Sequence, residues 1–345
     1  MLPGPYLLHL GSATDALSIK TARGVLQWRP EACLGQRRLA GCSVDLGLPG
    51  MTFAEAVEHG ARTLILGSAN AGGVLGDDLV EEAVLALEAG LNVASGLHQR
   101  LADRAELVRA ATRAGLRLFD LRTPPADLRV GNGVPRAGLR LLTVGTDCSV
   151  GKMYASLVLE RELREAGLAA DFRATGQTGI LIAGDGVPID AVVADFISGA
   201  VERISPARID GGWDIIEGQG SLFHPSYAGV SLGLLHGAQP DAIVLCHEPG
   251  RQHMRGLPGR ALPDLATCLE ANLVAARLTN PGVQAVGVAL NTSTLGAVER
   301  AEAIRVAERD TGLPCVDPLI HGAAPIIDRL LECFKPSPAR LSVDA

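Results

Sequence analysis

Short apolar runs alternate along this chain with longer stretches whose apolar residues recur every three or four positions. In the first part, residues 6–10, 63–66, 91–94 and 116–121 are short and apolar, and the first three run into the turns GSATD, GSANAGG and SGLHQRL. They predict strands, because such runs bounded by glycine and serine are too short for helices. Residues 77–89 (DDLVEEAVLALEA) have helical periodicity. Residues 102–114 lack a clean stripe, yet their Ala, Leu and Arg content favours a helix. The second part restarts with an apolar run at 141–144, a glycine turn and a helical run at 153–166. Further strands are predicted at 213–216, 242–246, 285–290 and 314–316, with a helix at 262–278. Strands alternating with helices imply α/β architecture with parallel sheets and ligands at the strand C-terminal ends. The turn-rich stretch 123–138 reads as a linker. The expected domains are therefore 1–136 and 137–345.

With 345 residues, 47% of them apolar and 20% charged, the chain has core enough for two domains. Forty-one glycines and only 3% aromatics suit tight turns and small-residue packing. A formal charge of -7, with no basic tail or charge block, argues against a general nucleic-acid binder. No run is long and apolar enough to span a membrane, and the N-terminus lacks a signal-peptide pattern. Seven scattered cysteines without a C-x-x-C pair predict reduced thiols in a cytoplasmic protein. Cys148 stands apart, inside the glycine turn, either as the small residue such a turn needs or as a thiol that a helix N-terminus and a lysine would activate.

The chemistry concentrates in RLLTVGTDCSVGKMYAS, residues 140–156. Strand, glycine-rich turn, Gly-Lys and helix together make a phosphate cradle of converging backbone N–H groups, helix dipole and lysine charge. Gly145 and Gly151 are one residue further apart than in the common P-loop, and the Mg²⁺-binding hydroxyl after the lysine is replaced by Met153. This points to a phosphate-bearing ligand held rather than cleaved. In WDIIEGQGSLFHPS a strand ends in Glu217, where phosphate-loop proteins commonly place a carboxylate. DFRATGQTGI offers Arg173, suited to a carboxylate, with Thr175 and Gln177 as short polar groups. HEPGRQHMRGLPG carries His247, His253, Arg251 and Arg255 in a loop after a strand, without zinc spacing. Asn291 ends another strand, where its amide can read a purine edge or simply form a turn. GSATD and SANAGG resemble glycine-turn anion sites without a full G-x-G-x-x-G, and His98 follows a strand alone.

Four pieces, GTDCSVGK, RATGQTG, EGQGS and ALN, occur in the order found in the dethiobiotin synthetase branch of P-loop proteins, whose GTDTxVGKT has the same glycine spacing. The chain departs from it at Met153 and at Arg173, where that family has lysine. A closer resemblance covers almost the whole chain. PYLLHLGSATDALSIKTA, SGLHQRL, GTDCSVGKMY, DFRATGQTGI, IEGQGSLFHPSYAGVSLGLLHG and LCHEPGRQHMRGLP resemble the D-glutamate N-acetyltransferase family of the DgcN type. That resemblance implies an N-terminal Rossmann-like domain, a C-terminal P-loop domain, a homodimer, and transfer of acetyl from acetyl-CoA to D-glutamate in D-glutamate catabolism.

This chemistry assigns candidate roles. Gly145, Thr146, Asp147, Cys148, Ser149, Gly151, Lys152 and Asn291 would hold acetyl-CoA, and Arg173, Thr175 and Gln177 the amino acid. No metal is expected, since Met153 replaces the hydroxyl that would bind one. The substrate ammonium must lose a proton before attack, so a general base is required. Glu217 is the first candidate. If the loop holds the CoA pyrophosphate, however, the thioester lies far from Lys152, and His224, His253 or His98 becomes the base. An acyl-enzyme on Cys148 would need the thioester inside the loop. The rivals are an ATP-dependent ligase or kinase of the dethiobiotin synthetase type, a ligand-sensing module, and a nicotinamide enzyme resting on the first half alone.

Overall fold

The computed structural model describes residues 2–15, 18–68 and 74–334. Contacts divide the chain into two units, one of residues 1–126 with 176–191, the other of 127–175 with 192–345. The cut at 126/127 falls inside the turn-rich stretch, ten residues before the expected boundary at 136/137. The reassignment of 176–191 to the first unit was not expected at all.

The first unit is one five-stranded parallel sheet. Its strands are β1 (Tyr6–His9), β2 (Cys33–Arg37), β3 (Thr63–Leu66), β4 (Asn92–Ser95) and β5 (Leu118–Asp120), in the order β2-β1-β3-β4-β5. Helices α1 (Lys20–Trp28), α2 (Phe53–Glu58), α3 (Asp77–Ala89) and α4 (Ala105–Ala114) connect them, and α6 (Gln177–Ala183) joins from later in the chain. Successive residues of β1 point to opposite faces. Leu7 enters one core with Leu64, Val93, Leu87 and Leu107, and Leu8 enters the other with Ile65, Ala94, Val25 and Leu181 of α6. Both faces are covered, so the strands are apolar throughout rather than alternating. The chain order reverses between β1 and β3, the place where such sheets bind ligands. A cavity of about 300 Å³ opens there, lined by Gly11, Ser12, Thr14, Ser18, Ser68 and Asp78 among others. Of the SANAGG turn only Ser68 belongs to the described residues; 69–73 lie outside them.

Two local details differ from the periodicity. The helix expected over 102–114 begins at Ala105, because the Asp120 carboxylate accepts the N–H groups of Leu101 (2.6 Å) and Ala102 (3.1 Å) and holds that turn off the helix axis. Strand β2 was unforeseen in the polar run CLGQRR. Its Arg37 makes a bidentate pair with Glu82 on α3, and buried His9 meets the same carboxylate at 3.2 Å. Burial raises the Glu82 carboxyl, but the hydrogen bonds of Arg37 and His9 win and hold it at about 2.

The second unit is a six-stranded parallel sheet of β6 (Leu139–Gly145), β7 (Ala170–Arg173), β8 (Trp213–Ile216), β9 (Ala242–His247), β10 (Gln284–Leu290) and β11 (Cys315–Val316). Their order is β11-β10-β9-β6-β8-β7. Central β6 and β9 are mostly apolar and almost fully buried, with Arg140 and Thr143 the buried polar residues of β6. Around them pack α5 (Lys152–Glu165), α7 (Ile197–Ile204), α8 (Ala228–Ala238), α9 (Leu265–Arg277), α10 (Ala297–Thr311), α11 (Pro318–His321) and α12 (Ala324–Cys333). Among the described residues no helix is long and apolar enough to cross a membrane.

Candidate active site

The glycine turn leaves the C-terminal end of β6 and enters α5. Ser149 (φ 55) and Gly151 (φ 99) both adopt the left-handed conformation, which folds the turn back over the helix N-terminus. The N–H groups of Cys148, Ser149, Val150 and Gly151 donate to no other group among the described residues. Four free donors at the start of a helix make an anion site.

Lys152 was expected to meet a phosphate. Instead its Nζ turns inward and donates to the carbonyls of Asp147 and Gly220, both at 2.8 Å. Burial pushes its ammonium below the usual lysine range, against the nearby charges of Asp147 and Glu217. Arg251 grips the outside of the turn. It donates to Asp147 Oδ2 (2.9 Å), Cys148 O (2.7 Å) and Ser149 O (3.1 Å), and pairs with Glu248. Both cations therefore brace the turn. Arg255 of the same loop is exposed, and its guanidinium has no hydrogen bond or ion pair among the described residues. Asn291, beside Gly151, follows β10 and is held by its N–H to His247 O at 2.8 Å.

Glu217 ends β8 and is buried. One oxygen accepts the N–H of Thr175 (3.0 Å), the other the amide of Gln219 (3.2 Å), and Thr175 Oγ1 donates to its main-chain carbonyl at 2.6 Å. Thr175 thus fastens β7 to β8. Arg173, expected to take a substrate carboxylate, directs its fork at the buried Asp214 (2.8 Å), which also receives Arg208 and Ser205. An acid without solvent needs such partners, and this explains the arginine without a ligand. Gln177 begins α6 in the first unit, its side chain lying where a Cβ on Gly96 would sit. His98 is exposed in that unit, and burial with the Arg122 charge lowers its imidazole.

His224 is buried. Its Nδ1 accepts the N–H of Ser226 (3.2 Å), its Nε2 meets Arg255 O (3.1 Å), and Tyr227 stacks on it at 4.5 Å. His253 is exposed, and no group among the described residues bonds its ring. His247, a proton-carrier candidate on sequence grounds, pairs with Thr146 Oγ1 at 2.9 Å, and burial beside Arg251 pushes its imidazole down to about 4.

One cluster was not visible from spacing. A carboxylate oxygen of Asp147, the Cys148 thiol and a ring nitrogen of His224 lie within 4.8 Å of one another. Asp147 is fully buried; its Oδ2 also accepts the Arg255 N–H (2.7 Å), while Oδ1 has no hydrogen-bond partner among the described residues. Such a donor set can be drawn together around a zinc-class ion. Here both nitrogens of His224 are already engaged and Lys152 and Arg251 stand against Asp147, so proton transfer suits the cluster better.

Two family models match the chain. One, described as a Rossmann-like domain of unknown function (DUF1611_N), covers residues 37–124. The other, described as a P-loop domain of unknown function (DUF1611_C), covers residues 129–327. A D-glutamate N-acetyltransferase from a Pseudoalteromonas species is 51% identical over 326 residues, 94% of this chain and 98% of the relative. A D-glutamate N-acetyltransferase from Tritonibacter scottomollicae is 48% identical over 330 residues, 96% of this chain and 99% of the relative. The crystal structure of a DUF1611-family protein from Anabaena variabilis superposes with a TM-score of 0.85 at 32% identity, covering 96% of this chain and all of that one. Rossmann-like sheet, P-loop turn and near-complete alignment agree, and the chain belongs to the DUF1611 family, together with these D-glutamate N-acetyltransferases.

Proposed function

We propose that this protein is an acyltransferase that moves acetyl from acetyl-CoA to the amine of D-glutamate. The observation that carries the reading is the turn after β6. It offers four free N–H groups to a negatively charged or polarised oxygen of the donor, while the position of the Mg²⁺ hydroxyl is Met153 and Lys152 is capped by carbonyls. A loop so built binds and polarises; it does not neutralise charge on a transferring phosphoryl group. Relatives named for this reaction, about half identical over nearly the full length, support the same substrate.

Arg255, whose guanidinium has no hydrogen bond or ion pair among the described residues, is our candidate for the phosphates of CoA. His253 is the candidate base with a free ring, since the oxygens of Glu217 and the nitrogens of His224 already hold neighbouring segments together. We propose a homodimer in the cytoplasm, a compartment that suits seven free cysteines.

The test is thiol release from acetyl-CoA with a panel of D- and L-amino acids. Release with D-glutamate alone is the expected result. No release with any amine, alongside Mg²⁺-dependent ADP formation, would move the protein to the ligase or kinase class. For the same reason EDTA should leave turnover unchanged.

A further inference from the structure

We infer that Cys148 is the acyl acceptor of the reaction: acetyl passes first to its Sγ and then to the amine, with Asp147 Oδ1 as the proton acceptor of the thiol. The inference rests on the acetyl-transfer reading above and supplies its chemical route.

The first support is the orphaned oxygen. Asp147 is fully buried, Arg251 and the Arg255 N–H both bind its Oδ2, and Oδ1 is left as an acceptor without a donor. Buried acceptors are normally paired, and the exceptions mark sites with a task. The Cys148 thiol, which carries a transferable proton, lies within the same 4.8 Å cluster and makes no hydrogen bond among the described residues. His224 completes the cluster without serving as the base: Nδ1 accepts one bond and Nε2 faces a carbonyl. It is a positioning residue that fixes Arg255 O, hence the Arg255 N–H that occupies Oδ2.

Burial raises the Cys148 thiol above its ordinary range, while Lys152, Arg255 and Arg251 pull it back. The thiol is thus protonated at rest and needs an acceptor at the moment of attack, after which three cations favour its anion. The free N–H groups of Cys148, Ser149, Val150 and Gly151 supply the remaining requirement, donors for the oxygen that becomes negative in the tetrahedral intermediate. Only the half-buried thiol has to reach the donor, so the burial of Asp147 is no obstacle.

The steps balance. Sγ forms a bond to the acetyl carbon as the bond to the CoA sulfur breaks, and the thiol proton passes through Asp147 to the departing CoA thiolate. One thioester replaces another, so the exchange is close to energetically neutral. The ammonium of the amino acid then loses one proton to His253, the candidate base, which passes it to the medium, and the free nitrogen attacks S-acetyl-Cys148. The second nitrogen proton returns through Asp147 to Sγ, regenerating the thiol.

The experiment incubates the intact protein with acetyl-CoA and no amine. Expected are one equivalent of CoA released per site, a hydroxylamine-labile acetyl group on the Cys148 peptide by mass spectrometry, and exchange of labelled CoA into acetyl-CoA. Cys148→Ala should lose label and exchange while binding acetyl-CoA by calorimetry. Asp147→Asn should slow acylation at least tenfold and flatten its pH profile. Normal N-acetylation of D-glutamate without exchange or label, or full turnover by Cys148→Ala, overturns the route while leaving the acetyltransferase reading standing. Label on Cys148 with turnover of a different amine supports the route and corrects the substrate. Neither label nor turnover with any amine overturns both.

Discussion

Replacing Gly218 by alanine should cost the second unit much of its stability. The residue follows Glu217 at the end of β8, and its N–H donates to Thr143 Oγ1 at 3.0 Å. A Cβ there would lie 1.7 Å from the carbonyl oxygen of Thr143 on β6 and 3.0 Å from Lys152 Cδ. Contacts of this kind essentially never fall below 3.0 Å, so two neighbouring strand ends must part by more than about 1 Å. Overpacking of this sort costs roughly 1–3 kcal/mol, occasionally more, and loss of the hydrogen bond adds about 1 kcal/mol. We expect Gly218→Ala to lose about 3 kcal/mol of unfolding free energy. Turnover should fall with it, because Glu217 is displaced from Thr175. Urea unfolding followed by fluorescence reads the change directly: Trp213 lies on β8, and a Trp28→Phe background silences the other tryptophan, in the first unit. The comparison is Gly229→Ala on α8, where no atom lies within 4 Å of the new methyl and alanine should be neutral or stabilise by up to about 1 kcal/mol. Equal midpoints for Gly218→Ala and the parent would refute the reasoning.

The other predictions concern single side chains. Arg255→Ala should weaken acetyl-CoA about tenfold by calorimetry with little change in urea midpoint, and unchanged affinity would remove the arginine from the donor site. Arg173→Gln should lower stability by about 1–3 kcal/mol, less than for a fully orphaned buried acid because Arg208 still reaches Asp214. Its KM for D-glutamate should stay constant, whereas a raised KM at unchanged stability would return Arg173 to the substrate. His247 titrates near 4 when folded and near 6.5 when unfolded, so the unfolded chain binds the extra proton first. Stability should therefore fall by about 3 kcal/mol as pH drops from roughly 6.5 to 4, and His247→Asn should flatten that limb of the curve.

Much of the fold was legible where burial on both sheet faces makes a strand uniformly apolar. β3 and β8 have the expected bounds, as does α3, whose Asp77 and Asp78 sit in its first turn and whose Gly90 ends it in the left-handed conformation. The edge strands β2 and β7 were not legible, because CLGQR and ADFR hide their pairing behind charged groups whose partners, Glu82 and Asp214, are remote in sequence. The site divides in the same way. The turn after β6 announces itself through local glycine chemistry, and Glu217 through its strand end. The inward turn of Lys152, the pairing of Arg173 with Asp214 and the approach of His224 to Asp147 depend on segments that meet only in three dimensions. The motif indicated where an anion could bind; it carried no signal that Asp147 Oδ1 is left without a donor.

The path of the chain has a consequence for how the protein is made. Neither unit is a continuous stretch: residues 176–191 leave the second unit after Thr175 and complete the first, where Leu181 enters the core of Leu8, Ile65 and Ala94. During synthesis the first sheet must wait, its α6 face open, until just over half the polypeptide has been translated. A fragment cut at residue 126 would display that apolar face, and one starting at 127 would carry an orphaned segment. The two units are thus bound to a shared timetable of biosynthesis, and loss of the N-terminal part should compromise production of the remainder even where the chemistry resides wholly in the second sheet.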